Sequence, residues 1–359
     1  MATAVDYFSG AGGASTGARQ AGFDVIFAAN HWPYAVELHA ANHPETVHAC
    51  VDIDWLHPRD TPYADVAWFS PSCVFHTRTR GAYSITDAAK AGRSTMWDVA
   101  KFVEWHRYPV VIVENVVDVT AWPAWPAWRA AMAAFGYEVR TVCLNSAHCS
   151  AAGPAVPQSR DRLYIVATRT RSLDLTALES PASWCPTCEE TVRPWRAWSN
   201  AQQLGKHRSG YRYTCPQCLG FVAPDAPPAR SVIDFTDHGR PLDGAQLAAN
   251  TMRRIRIGLE RYDGAPFIAE LRGGSSTARS VEAPLATITA RGRHHMLVHP
   301  VNGALHYRML RNVELAAAQG FPPSYLWHGS AENQLLGIGN AVSTNVARDL
   351  MAAAVAALN

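Results

Sequence analysis

The sequence contains no apolar run reaching the ~18 residues of a membrane span. Its first residues lack a basic stretch followed by an apolar segment, so no secretory leader is read and the cytoplasm is the expected location. No internal repeat and no long low-complexity tract is present. Lysine is scarce: only Lys90, Lys101 and Lys206 stand among 32 basic residues. Neither sign of charge dominates, with a formal net charge of +2. The excess is uneven, however: residues 181–300 hold 15 Lys and Arg against 10 Asp and Glu, leaving 17 against 20 elsewhere. A basic segment of that kind suits a polyanionic partner, although such an excess is also common in ordinary surfaces.

What the chain does have is an alternation of strand and helix. VDYF (5–8), DVIFAAN (24–30), ADVAWFS (64–70), PVVIVENV (109–116), YEVRTVCLN (137–145) and RLYIVATR (162–169) read as strands. Helical spacing appears at 14–21, 34–43, 95–106 and 128–136. The pattern predicts an α/β fold with a parallel, doubly wound sheet, whose ligands bind beyond the carboxyl ends of the strands. Asp6–Gly13, Asn30–Trp32, Ser70–Cys73 and Glu114–Val116 fall at such ends. Composition shifts near residue 170 to a Pro-, Trp- and Gly-rich stretch with poor periodicity, and helical spacing returns near 312–321 and 343–358. The expected division is therefore 1–170 with 307–359 as one domain and 171–306 as a smaller, irregular one.

Several short stretches could carry chemistry, and each has a plainer reading. DYFSGAGG (6–13) follows the first strand but is not the G-x-G-x-x-G of dinucleotide folds; it is a cofactor loop or a tight turn. Cys73, in SPSCVFHT, is a nucleophile at a strand end or a small buried hydrophobe. Glu114 and Asn115, ending a buried strand, are costly to bury unpaired, so they are solvated at the rim or do chemistry. Arg160 and Arg162, two apart on a predicted strand, should point the same way, toward a substrate or into a salt-bridged edge. GIGNAVSTNVA (337–347) reads as a glycine turn entering a helix.

The order of these pieces is more specific than any one of them. DYFSGAGG, Pro-x-Cys, ENV, QSRDR, RxL…E…QGFP and GNAV, in that sequence, resemble the cytosine-C5 DNA methyltransferase family over residues 4–170 and 307–350. The resemblance implies a Rossmann-like methyltransferase sheet, with 171–306 inserted where the family carries its target-recognition domain. It implies S-adenosylmethionine as donor, a flipped-out cytosine in double-stranded DNA as acceptor, and a setting of DNA methylation and restriction–modification. Cys73 matches the cysteine that adds to carbon 6, Glu114 the residue that holds or protonates N3, and Arg160 and Arg162 the Q-x-R-x-R pair. Asp6, Phe8, Gly10, Gly12, Gly13, His31, Trp32, Asp52, Asn340, Ala341 and Val342 match the cofactor pocket. Arg78, Arg80 and Arg93 would meet DNA phosphates in the loop after Cys73. A monomer acting on one base at a time is the simplest expectation.

Two departures stand out. Pro71-Ser72-Cys73-Val74 replaces the family's Pro-Pro-Cys-Gln, and His31-Trp32 stands where the family has an acidic residue followed by a bulky one. They leave open a catalytically weak DNA-binding protein, or a modified donor. The same chemistry on tRNA is a further alternative.

Cysteines supply the last signal. Cys185 and Cys188, then 26 residues, then Cys215 and Cys218 make two C-x2-C knuckles, the pattern of a structural zinc ribbon over about 184–219. Its middle holds Trp195, Arg196, Trp198, Lys206, His207, Arg208, Tyr211 and Arg212, which either contact DNA or pack a thin core. Cys50, Cys143 and Cys149 read as structural, and His294 and His295 as polar residues flanking a strand.

Overall fold

The computed structural model describes residues 1–72, 87–273 and 278–358, with the backbone alone for 87–94. The chain forms two compact units. The first comprises Met1–Pro154, Asp161–Asp225 and Ala341–Asn359; the second comprises Ala155–Arg160 and Ala226–Asn340. This differs from the division expected from composition. The cysteine-rich segment belongs to the first unit and residues 307–340 to the second.

In the first unit, strands β1 (Thr3–Tyr7), β2 (Asp24–Asn30), β3 (Val47–Cys50), β4 (Val66–Phe69), β5 (Val110–Asn115) and β6 (Glu138–Asn145) form one sheet with a later strand. The short β7 (Gln158–Ser159) lies in the second unit, and β8 (Asp161–Thr168) returns to the first. The seven-stranded order is β3-β2-β1-β4-β5-β8-β6. Pairing is parallel from β3 to β5, but β8 runs antiparallel to both β5 and β6. A wholly parallel sheet was expected. The difference arises because no crossover helix separates β6 from β8, only a 3-10 turn (Ser146–His148), irregular chain and the two-residue β7.

Helices α1 (Gly13–Gln20), α2 (Pro33–Asn42), α3 (Asp87–His106) and α4 (Trp125–Ala134) follow the parallel strands. The run Val110–Val113 shows why β5 is apolar throughout. Val111 and Val113 pack with Phe102, Trp128 and Met132 on one face, while Val110 and Ile112 pack with Val346 and Leu350 of the last helix on the other. Among the described residues one helical stretch, Ala331–Leu358, is long and apolar enough to cross a membrane, but most of it is buried. It is also interrupted at 341–343, between helices Ala331–Asn340 and Thr344–Leu358. We read it as core helix.

Two small antiparallel sheets complete this unit: Ser183–Cys185 with Glu190–Val192, and Trp195–Trp198 with Tyr211–Thr214 and Phe221–Val222. The second unit holds a five-stranded antiparallel sheet, with Phe267–Glu270 and His295–Val301 at its centre, covered by helix Ala249–Tyr262. There the RxL…E stretch serves structure. Both Arg308 and Glu314 are buried, and Arg308 Nη1 and Nη2 donate to the Glu314 carboxylate at 2.8 and 2.7 Å.

Candidate active site

β1, β2, β4 and β5 end at Tyr7, Asn30, Phe69 and Asn115, so the described parts of the expected strand-end segments, residues 70–72 among them, lie at carboxyl ends of parallel strands. After β1 the backbone turns through positive φ at Phe8 (61°), Gly10 (52°) and Gly12 (76°), and Gly12 caps α1. A Cβ on Gly10 would meet nothing nearer than the Phe8 carbonyl oxygen at 3.9 Å, so this backbone is open to an approaching group. Gly13 is glycine for another reason. A Cβ there would stand 2.1 Å from the Val342 carbonyl oxygen, so α1 begins packed directly on that backbone.

Behind the turn lies a buried polar row. Ser15 Oγ donates to Asp6 Oδ2 at 2.7 Å, His39 Nε2 is 2.9 Å from Ser15 Oγ, and His39 Nδ1 is 2.8 Å from His48 Nε2. Burial raises the Asp6 carboxyl to about 7, partly offset by Ser15. Burial also holds His39 well below its ordinary value, with His43 and His48 adding to the effect. Of the other expected cofactor contacts, His31 and Asp52 are exposed, while Trp32 is half-buried with its ring 4.8 Å from that of Tyr34. Lys101 belongs to none of the sequence motifs. Its Nζ donates to the carbonyls of Ile53 and Asp54, both at 2.9 Å, and so fixes the turn that carries Asp52.

At the end of β5, Glu114 accepts from Arg162 Nε at 2.9 Å, with the two side chains 11% and 15% exposed. The neighbouring Asn115 is fully buried. Its Nδ2 donates to the Pro71 carbonyl at 3.3 Å and its Oδ1 accepts from Val116 N at 2.8 Å. Asn115 thus ties the end of β5 to the chain entering the Pro-x-Cys loop. Cys73, Arg78 and Arg80 lie outside the described residues, as does the side chain of Arg93.

The arginines do not share one strand face. Arg160 occupies the break between β7 and β8 and is 4% exposed. Its Nη1 and Nη2 donate to the carbonyls of Ile288 (2.9 Å) and Gly339 (3.1 Å), all within the second unit. Only Arg162 turns to Glu114. The glycine turn expected at 337–340 is also corrected. These residues end helix Ala331–Asn340, and a Cβ on Gly339 would stand 2.3 Å from Ala290 N. Close approach of that backbone requires the glycine there. Asn340 is exposed at the helix end, and Ala341 and Val342 are buried.

The four ribbon cysteines converge, with all their sulfurs within 4.8 Å of one another. Cys185–Cys218 and Cys188–Cys215 are 3.5 and 3.8 Å apart, too long for disulfides. An edge of about 3.8 Å is what a tetrahedron of thiolates with metal–sulfur bonds of about 2.3 Å requires. The aromatic and basic residues between the knuckles divide. Arg196 turns inward, its guanidinium 4.8 Å from the Tyr211 ring and bonded to the carbonyls of Cys143, Leu178 and Glu179. Trp198, Tyr211 and Tyr213 join it in the core, whereas Trp195 is 54% exposed and Arg212 lies outward over Phe221. In the second unit, sequence reading passed over helix Ala249–Tyr262 and its exposed Arg253 and Arg256. The 3-4-3 spacing of Met252, Ile255, Leu259 and Tyr262 was the available signal.

The profile of the family described as C-5 cytosine-specific DNA methylase matches residues 2–207 and 239–356. The chain is 30% identical over 173 residues to the Type II methyltransferase M.AgeI of Thalassovita gelatinovora, across 45% of this chain and 38% of that protein. It is 22% identical over 366 residues to the Type II methyltransferase M.HindV of Haemophilus influenzae, across 98% and 95%. The chain spans about half the length, or less, of three of the curated relatives it matches: 38%, 53% and 48%. Among solved structures, the S. pombe Dnmt2 methyltransferase shares the fold, with a TM-score of 0.63 and 16% identity over the full length of both chains.

Proposed function

The chain belongs to the C-5 cytosine-specific DNA methylase family, and from that premise we propose that it transfers a methyl group from S-adenosylmethionine to C5 of a cytosine flipped out of duplex DNA, through a covalent adduct on Cys73. The observation that carries this reading is the Glu114–Arg162 pair at the end of β5, beside an Asn115 bonded two residues before Cys73.

Carbon 5 of cytosine is a weak nucleophile. Attack of the Cys73 thiolate forms a sulfur–carbon bond at C6 and makes C5 enamine-like. Glu114 holds or protonates N3, so the ring accepts the electron pair without building up negative charge. Arg162 keeps that carboxyl in place and presents positive charge toward the pyrimidine carbonyl. Once C5 carries the methyl group, a base removes the C5 proton and the electron pair expels the thiolate. Arg160 contributes by fastening its turn to Ile288 and Gly339.

S-adenosylmethionine supplies the electrophilic methyl when bound. The open backbone above Gly10 fits such a group. Asp6, Phe8, Gly12, Gly13, His31, Trp32, Asp52, Asn340, Ala341 and Val342 would complete its pocket. Cys185, Cys188, Cys215 and Cys218 would hold one structural zinc, a role suited to their sulfur spacing. Flipping a base costs a few kcal/mol, drawn from phosphate contacts. Arg78, Arg80 and Arg93 are assigned to that role, and so are Arg253 and Arg256. Target recognition within 171–306 then falls mainly on the second unit.

The test is to treat mixed-sequence DNA with protein and donor, followed by nucleoside mass analysis and base-resolution mapping. 5-Methylcytosine in one short context is expected, together with a crosslink of Cys73 to DNA carrying 5-fluorocytosine. Cys73→Ala should abolish both while DNA binding persists. Binding without transfer would point to a DNA reader instead. Modification confined to a parallel tRNA sample, or seen only with an altered donor, would redirect the substrate.

A further inference from the structure

The loop between the ribbon strands, residues 199–210, does not stand free. Gly205 N donates to Cys143 Sγ at 3.4 Å, and His207 N donates to Asp161 Oδ1 at 2.9 Å. Lys206 Nζ lies 3.9 Å from Asp118 Oδ2, and the His207 ring meets His148 edge-on at 4.6 Å. Gly205 and Gly210 come so close that a Cβ on Gly210 would stand 2.5 Å from Gly205 Cα, which gives the loop one tight shape. Asp161 opens β8, next to Arg162, and its backbone carbonyl accepts from Arg162 Nη1 at 2.9 Å. A continuous set of contacts therefore runs from ribbon loop to Asp161 to Arg162 to Glu114, and all of it lies in the first unit.

We infer that the four-cysteine ribbon is a clamp on the active site, and that Asp161 is a positioning residue which carries the ribbon's grip to the Arg162–Glu114 pair. The ribbon core is thin: Cys185, Val192, Tyr211, Tyr213, Cys215 and Val222. So few apolar side chains do not hold a fold alone, and metal-bound thiolates supply what is missing. Tyr211 begins the strand that leads directly into Cys215, so loosening the knuckles loosens the end of the loop that bears His207. The inward turn of Arg196, which fastens the ribbon to Cys143, Leu178 and Glu179, fits a docking element better than a DNA-reading one.

This inference rests on the proposed methyl transfer for its catalytic readout, and its test has a second, separate readout. Asp161→Ala is expected to keep one zinc per chain and the wild-type KM for DNA, while kcat falls 10- to 100-fold. Asp161→Asn, which retains an acceptor for His207 N–H, is expected to stay within about threefold of wild type. Hydrogen exchange on the holoprotein should show the His207 amide losing protection in Asp161→Ala and keeping it in Asp161→Asn. Stripping the metal with a chelator should expose the same amide, leave the α3 and β5 amides protected and lower kcat. Unchanged His207 exchange in Asp161→Ala overturns the clamp whether or not the protein methylates anything. An effect on KM for DNA alone, after stripping, overturns it in favour of a DNA-reading ribbon.

Discussion

Replacing Glu114 with Gln separates the chemistry of the pair from its structural worth. The substitution keeps the shape and one acceptor oxygen and removes the charge facing Arg162 Nε at 2.9 Å. Breaking a fully buried pair costs about 3–5 kcal/mol. Here the side chains retain 11% and 15% exposure, and Arg162 keeps the Asp161 carbonyl as a partner. A loss of about 1–2 kcal/mol is therefore expected, which lowers the melting temperature by a few degrees. The catalytic effect should be larger. A group that protonates or clamps the reacting ring contributes about 10²–10⁴-fold, or roughly 3–5 kcal/mol of barrier. A domain of ordinary stability stays folded through the smaller loss while turnover nearly stops. Single-turnover transfer of labelled methyl to DNA at saturating donor measures the rate, and fluorescence polarisation measures DNA affinity. A Glu114→Gln protein that transfers methyl within threefold of the wild-type rate would show that Glu114 does not touch the reacting base.

Four further outcomes are expected. Lys101→Met, which frees the Ile53 and Asp54 carbonyls, should weaken S-adenosylmethionine binding about tenfold by calorimetry, with kcat changed less. Gly13→Ala, forcing a Cβ to 2.1 Å from the Val342 carbonyl oxygen, should destabilise by about 3 kcal/mol or more in urea unfolding; a loss under 1 kcal/mol would mean that α1 is free to shift. Cys215→Ser should reduce bound zinc to well below one per chain by plasma emission, and full occupancy would show that three thiolates suffice. Stability should fall in mild acid. Burial is the largest cause holding His43, His207 and His295 near 4 and His148 near 3, so these rings fold neutral. The unfolded chain takes up protons on them near pH 6.5, and the stability present above that pH is lost as pH falls toward 4. Asp6, raised to about 7 by burial, acts oppositely: its contribution is full below about pH 4 and is lost as pH rises toward 7, so Asp6→Asn should steepen the acid loss. Melting temperatures across pH 4–8 decide it, and a wild-type value that rises from pH 6.5 to 5 contradicts the histidine account.

Much of the first unit was legible because parallel strands buried on both faces leave a strong mark. DVIFAAN is β2 as predicted, and PVVIVENV contains β5 with one residue trimmed at each end. The ordered motifs led to the strand ends where Glu114, Asn115 and Gly10 now stand. What could not be read was where tertiary partners decide. Nothing local in the sequence shows that Arg160 and Gly339 meet backbone distant in sequence, at Ile288 and Ala290. Arg308 and Glu314 stand in the ordered motif string without a role legible there, and they form a buried clasp. The ribbon's aromatic and basic residues alternate along strands, so Arg196, Trp198, Tyr211 and Tyr213 face inward while Trp195 and Arg212 face outward. Sequence alone gives that alternation without saying which face meets solvent.

The reversed strand β8 connects these observations. Glu114, one residue before the end of β5, pairs with Tyr164, two residues beyond Arg162, so Arg162 stands diagonal to Glu114 on the same sheet face. That proximity exists only because β8 runs against β5. Were β8 parallel, its first residues would lie at the opposite end of the sheet, about 20 Å from Glu114 at roughly 3.3 Å per residue. The same reversal brings Asp161 to the end where Asn145 of β6 finishes, with which it is paired in register. The ribbon loop reaches Asp161 at that point. An antiparallel strand, inserted where the alternating pattern predicted one more parallel unit, is therefore what gathers an acid from one segment, a base from another and a cysteine-held loop from a third at one end of the sheet.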